Sequence, residues 1–187
     1  MRLTRFTDLS LRVLMYLAYV NRSRLVTVSE LAEKIDWTQN HVTKVVHRLG
    51  QERWITTVRG RLGGVALDKD PSEYRLGDLV RRLEGNESLF DCNEPACHLE
   101  GCQLTHYYAS ALEAFYEELN KITLADAVDN AKLRATYAKI DRRPRRPSGA
   151  ETRGPGDQPH PAQEAPRRRG VLTSTRRPDD APGPKSG

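Results

Sequence analysis

The sequence predicts a mainly α fold that carries one small β-hairpin and ends in a long helix and an unstructured tail. Three observations carry that expectation. Apolar residues recur every three or four positions through the first fifty residues and again from Leu104 onward. Between these regions, two short β-branched runs flank a glycine-rich tip at 59–64. Nine of the 11 prolines lie beyond residue 141, in a stretch almost free of large apolar side chains. Such a stretch buries too little surface to offset the entropy of ordering its backbone, so 141–187 reads as disordered.

Each element follows in order. Thr7 and Asp8 open the first helix, with Leu9, Val13, Leu17 and Val20 on one face and Asn21 closing it. Thr27-Val28-Ser29-Glu30 is a capping-box sequence: Thr27 accepts from first-turn amides while Glu30 reaches back. It starts a short helix to about Asp36 that buries Leu31, Ala32 and Ile35. Thr38 caps a third helix to about Gln51, with Val42, Val45, Val46 and Leu49 facing inward. Two short helices joined by a tight turn make a helix-turn-helix unit.

After Arg53 the period changes. Trp54–Val58 and Val65–Leu67 read as strands around Arg59-Gly60-Arg61-Leu62-Gly63-Gly64, and a hairpin directly after such a unit is a wing. The fold class is therefore a winged helix-turn-helix. Asp70-Pro71 ends the second strand, and Leu76, Leu79, Val80 and Leu83 mark a short helix ending at Gly85. Residues 88–103 contain Pro95 and Gly101 and read as loop. From Leu104, a seam of Tyr108, Ala111, Phe115, Leu119 and Ile122 suits packing along another helix, and helix continues from Leu124 to about Ile140. The expected organisation is a DNA-binding domain at 1–85, a metal-binding loop at 86–103, dimerisation helices at 104–140 and the tail at 141–187.

Charge supports the first assignment. The chain carries +5, but residues 141–187 alone hold 11 basic and 6 acidic side chains, so the rest is neutral overall. Locally it is not. Residues 1–80 hold 13 basic and 9 acidic groups, whereas 81–140 hold 6 and 10, which makes the amino-terminal half the one suited to a polyanion. No apolar run approaches the ~18 residues needed to span a bilayer, and the start lacks a signal-type apolar core, so a cytoplasmic location is expected. No nucleotide-binding glycine loop follows a strand and no nucleophile pairs with a base in sequence context, which argues against an enzyme.

The second helix of the unit presents Gln39, Asn40, His41, Thr43, Lys44, His47 and Arg48 outward, crowded toward the end that enters a major groove. Gln and Asn pair with adenine edges, and Lys or Arg reaches guanine. Thr38 stands at the start of this face. Arg59 and Arg61 on the wing reach phosphate or an adjacent minor groove, and Ser29 and Lys44 suit phosphate contacts.

The only three cysteines, Cys92, Cys97 and Cys102, are spaced C-x4-C-x4-C. An odd count in a reducing compartment argues against a disulfide framework. Structural zinc sites favour closer pairs and four ligands, although His98 leaves a Cys3His zinc site open, as it leaves a metal-free loop. Three thiolates from one loop suit a soft-metal cluster in which one iron takes a ligand other than cysteine.

Over about residues 1–140 the chain resembles the winged-helix iron–sulfur regulators that include IscR and NsrR. The matching pieces are Arg2–Arg12, Thr38–Val46, Arg59–Gly64, Leu76–Gly85 and the cysteine triad. The opening, the Asn40-His41 pair and the Cys97-His98-Leu99…Cys102 stretch resemble the nitric-oxide-sensing branch, NsrR, more than IscR. That resemblance implies a homodimer with crossing long helices that represses nitric-oxide detoxification genes from a palindromic operator. It also implies an iron–sulfur cluster, 4Fe–4S rather than 2Fe–2S, on Cys92, Cys97 and Cys102, with Asp8 of the partner subunit as fourth ligand. Sensing of iron or redox state by a regulator of the same build, and a zinc-bound or metal-free DNA-binding protein, are the competing expectations.

Overall fold

A computed structural model describes residues 3–21, 23–60, 62–85 and 102–142. Helix α1 spans Arg5–Val20, α2 Val28–Lys34 and α3 Gln39–Gln51. Strands β1 (Ile55–Val58) and β2 (Gly64–Leu67) follow, then a 3-10 turn at Pro71–Glu73 and α4 at Leu76–Glu84. Beyond the cysteine segment come α5 (Leu104–Leu119), α6 (Leu124–Val128) and α7 (Ala131–Asp141). The mainly helical architecture with one hairpin is the fold class the sequence predicts.

α1 is the central element. Leu9, Val13, Leu14, Tyr16 and Leu17 are essentially inaccessible and meet Leu31, Val42, Val45 and Leu49 from α2 and α3. Burying each such leucine contributes about 1.5–3 kcal/mol, and that apolar stripe is what fixes the angle of α3 against the core. The helix starts earlier than expected. Thr4, not Thr7, is the cap: its hydroxyl accepts from the Thr7 amide, which places Asp8 inside the first turn. Asn21 closes α1 in the left-handed conformation, as an asparagine does at low cost.

The wing is β1 paired antiparallel with β2, Ile55 opposite Leu67 and Val58 opposite Gly64. A third segment joins it. Val26 and Val65 exchange backbone hydrogen bonds at 2.8 and 2.9 Å, so the stretch before α2 forms a third rung at the base of the hairpin. A side chain at Gly64 would meet the Val26 carbonyl oxygen at 2.8 Å, which explains a glycine there.

A further expectation is corrected. The stretch from Leu124 to Ile140 is not one helix: it breaks at Asp129-Asn130, where the Asn130 side chain accepts from the Lys132 and Leu133 amides and starts α7. Short α6 returns to the core, burying Leu124 and Val128 against the α1 region, and the Tyr137 ring of α7 meets Tyr16 edge-on and Tyr19 at a tilt. The end of α7 is then tied to α1 and α2. Buried Tyr16 donates to the Asp141 carboxylate, and Lys34 donates to the Ile140 and Asp141 carbonyls at 2.9 and 3.1 Å. Burial, reinforced by Asp141 and Glu30, pushes the Tyr16 hydroxyl well above its ordinary range, so it stays a donor.

Among the described residues, most of the α5 seam is left uncovered. Tyr116 is the buried residue of α5, while Leu104, Tyr107, Phe115 and the following Ile122 are exposed. His106 and Tyr107 of α5 are exposed as well. The expected tail at 141–187 lies outside the described residues from 143 onward.

Candidate nucleic-acid interface and metal-binding loop

α3 presents Gln39, Asn40, Thr43, Lys44, His47 and Arg48 to solvent, while Val42, Val45, Val46 and Leu49 hold the opposite face in the core. The two sets separate because a 3.6-residue period puts them on different sides of one helix. Thr38 occupies the cap position but makes no side-chain capping bond. Its hydroxyl is engaged with His41 Nδ1 at 2.6 Å, and the His41 ring also stands edge-on to Trp37. His41 is thus a half-buried strut of the helix entrance rather than a free outward group. Thr43 donates back to the Gln39 carbonyl at 2.8 Å. Gln39, Asn40, Lys44 and His47 form the exposed polar surface. Ser29, exposed at the start of α2, stands 3.1 Å from the Thr27 hydroxyl.

Arg48 differs from its expected role. It pairs with Glu52 at 2.9 Å and donates to the Arg82 carbonyl at 3.3 Å, so its guanidinium is partly spent inside the protein. Glu52 also accepts from Arg82 at 2.7 Å. The i,i+4 spacing ties Arg48 to Glu52, whereas nothing in the sequence brings Arg82 of α4 to them; only the fold does.

On the wing, Arg59 is exposed; Arg61 lies outside the described residues. The turn that follows Arg59 is locked by glycine. Gly60 has φ +109°, the Gly63 amide donates to the Gly60 carbonyl at 2.9 Å, and a side chain at Gly63 would strike the Val58 carbonyl at 2.2 Å.

Of the expected cluster ligands, Cys92 and Cys97 lie outside the described residues. Cys102 is a free, exposed thiol two residues before α5. Asp8 is half-exposed on α1, and Arg12 Nε donates to both its carboxylate oxygens at 3.0 Å, so Arg12 pairs with Asp8. Glu84, at the end of α4, accepts from the Thr4 amide and hydroxyl at 2.8 and 3.1 Å. Among the described residues, no three His, Cys, Asp or Glu side chains converge on one point. The donors that are described suit an iron–sulfur group in kind: an accessible thiol and an accessible carboxylate, both free of covalent partners.

The segment bearing the cysteines is bounded by α4 and α5, which are fastened together. Arg81 forms a two-pronged pair with Glu113 at 2.6 and 2.7 Å and lies 4.4 Å over the Tyr116 ring. Gly77 lets the helices touch: a side chain there would meet the Tyr116 carbonyl at 2.1 Å. Asn120 accepts from the Asp78 amide and donates to its carboxylate, both at 2.9 Å. The last turn of α4 therefore contacts three elements through three side chains: Arg81 to α5, Arg82 to the end of α3, and Glu84 to the start of α1.

Comparison with known proteins agrees with this architecture. Residues 3–130 match the model of the Rrf2 family, described as an iron-dependent transcriptional regulator. Among solved structures, the global cysteine regulator CymR of B. subtilis superposes with a TM-score of 0.57 at 21% identity, over 68% of this chain and 96% of that one. IscR of T. potens gives 0.58 at 21% identity, covering 70% and 88%. The oxidized form of CymR from Staphylococcus aureus gives 0.57 at 23% identity, covering 70% and 98%. At these identities the structures establish the fold. Members of the matched family are DNA-binding transcriptional regulators rather than enzymes, and among the described residues no helix is long and apolar enough to cross a membrane. This chain belongs to the Rrf2 family of transcriptional regulators.

Proposed function

We propose that this regulator is a homodimeric repressor that senses nitric oxide through an iron–sulfur cluster and controls nitric-oxide detoxification genes from a palindromic operator in the cytoplasm. Cys92, Cys97 and Cys102 would hold the cluster, a 4Fe–4S group, with Asp8 of the partner subunit as the fourth ligand. When bound, the group supplies an iron whose oxygen ligand is harder and more readily displaced than thiolate, and hence reactive toward a small diatomic molecule. Residues 1–85 are the reading head, 86–103 the sensing loop and 104–140 the dimerisation region.

One observation carries this reading. All three cysteines fall between α4 and α5, and the last turn of α4 grips both the start of α1 and the end of the recognition helix. A change in how the loop is held reaches Glu84 and Arg82 within a few residues. Asp8 sits one turn from Thr4, the residue that Glu84 binds. Releasing Asp8 from a ligand position would leave Arg12 as its partner, the arrangement described here. The exposed apolar seam of α5 supports a dimer, in which two copies set the spacing of two recognition helices. A difference of a few kcal/mol between two arrangements is enough to change operator occupancy greatly.

The iron-dependent description of the family favours a second reading, in which the signal is iron supply and the cluster's presence alone matters. Gel-shift titrations of oxygen-free protein separate the two. Stoichiometric nitric oxide should weaken operator binding at least tenfold while a mild iron chelator leaves it unchanged. Loss of binding with chelator and indifference to nitric oxide would move the assignment to iron sensing.

A further inference from the structure

The wing tip bears a leucine that the recognition surface has not used. Leu62 is 91% exposed, the most exposed large apolar side chain among the described residues, and Val58 at the end of β1 is 50% exposed. Single exposed leucines are ordinary on protein surfaces, so exposure alone assigns nothing. Its setting is what matters. Leu62 is the third residue of the turn closed by the Gly63 amide on the Gly60 carbonyl. Gly60 takes a positive φ, a side chain at Gly63 would strike the Val58 carbonyl, and the Val26–Val65 rung braces the hairpin behind the turn. The Leu62 side chain accordingly makes little contact with the hairpin that carries it. It is held out, with exposed Arg59 nearby and Arg61 beside it in sequence, on an element packed next to α3.

We propose that Leu62 is a specificity-determining residue that enters the minor groove of the operator next to the major-groove site of α3, as an apolar probe of the groove floor. The inference rests on the family's DNA-binding role. Charge complementarity names the occupant: arginine beside the probe favours the negative potential of a narrow minor groove over another protein surface. The groove is about 6 Å wide with apolar sugar walls, and its floor is clear at A·T pairs but blocked at G·C by the guanine 2-amino group. A rigid leucine covers the first floor and collides with the second. It also favours pyrimidine–purine steps, where an apolar side chain separates stacked bases most cheaply. Leu62 would thus give sequence preference at positions where no side chain hydrogen-bonds a base.

The test uses full-length protein purified without oxygen and a duplex that the wild-type protein selects from a randomised pool. The base pairs flanking the α3 half-site are replaced one step at a time by G·C and by inosine·C. These two look alike in the major groove and differ by the 2-amino group in the minor groove. Wild type should bind the inosine duplex on the order of tenfold more tightly than the G·C duplex at one flanking step. Leu62→Ala should lose that discrimination while keeping the wild-type salt dependence, because it removes no phosphate contact. Arg59→Ala should instead flatten the salt dependence. Equal discrimination by Leu62→Ala and wild type would overturn the assignment. So would a Leu62→Ala protein with altered oligomeric state in sedimentation and unchanged discrimination, since the leucine would then contact a second copy. A wild-type protein that selects no duplex at all would instead defeat the regulator reading on which this one stands.

Discussion

Glu52, the residue that closes the recognition helix, accepts from Arg82 of α4 at 2.7 Å while pairing with Arg48 of its own helix at 2.9 Å. Glu52 is 11% exposed but Arg82 is 66% exposed, and Arg82 lies four residues before the segment 86–103 that bears the cysteines. Arg48 still pairs with Glu52 when Arg82 is removed, so the mostly exposed Arg82 contributes little to stability, about 0–1 kcal/mol, and its role here is to fix register. Arg82→Ala should shift the unfolding midpoint only slightly. It should also bring the operator affinities of cluster-loaded and cluster-free protein toward one value, measured by anisotropy at fixed salt. An unchanged affinity ratio would remove this pair from the coupling route.

The contact between α4 and α5 depends on one missing side chain. A methyl group at Gly77 would stand 2.1 Å from the Tyr116 carbonyl and 2.5 Å from the Asn120 amide oxygen, so the helices must separate to admit it. Gly77→Ala should cost about 1–3 kcal/mol in urea unfolding, seen as a lower midpoint at unchanged slope. A midpoint equal to wild type would show that the two helices part freely.

Much of this architecture is readable from residue order, and the exceptions share a cause. The inward valines of α3, the glycine-locked wing and the Asp8–Arg12 pair are local: helical period, turn chemistry and an i,i+4 spacing announce them. The start of α1 was ambiguous because Thr4 and Thr7 are both capping residues three positions apart, and only the Thr7 amide's bond to Thr4 decides. The break at Asn130 carried a cap residue, yet weak periodicity on either side hid it. The rest is long-range. The single rung between Val26 and Val65 has no strand-length pattern, and the Tyr16–Asp141 bond joins residues 125 positions apart. Of the site, the polar face of α3 was legible, and the partners of His41 (Thr38 and Trp37) and of Arg48 (Glu52) lie within one turn; the reach of Arg82 to this cluster was not legible, since the fold sets it.

Acid should loosen the second half of the structure first. Hydrogen bonds from Thr123 hold the Asp126 carboxyl below its ordinary value, and the Arg81 guanidinium does the same for Glu113. A carboxyl depressed on folding stabilises the fold in full above its unfolded value, about pH 4, and that contribution is lost as pH falls through the folded value. Stability should therefore decline below about pH 4, and Glu113→Gln should flatten the decline while lowering stability at neutral pH. The same acid slope in variant and wild type would refute the role of Glu113.

Two residues on the same helix should fail in different ways. Lys44 is exposed and suited to phosphate, so Lys44→Ala should weaken operator and non-specific duplex alike and reduce the salt slope by about one. Gln39 stands at the entering end of α3, so Gln39→Ala should cost about 1–3 kcal/mol on the operator and little on random duplex. Parallel losses in both variants would mean that this face binds backbone only.

The account as a whole turns on what the three thiols collect. Full-length protein purified without oxygen should contain iron and acid-labile sulfide in equal amounts with a visible charge-transfer absorption, and Cys102→Ser should lose both while remaining folded. Zinc, or no metal at all, in the oxygen-free protein would contradict the account and leave a winged-helix regulator without a cluster.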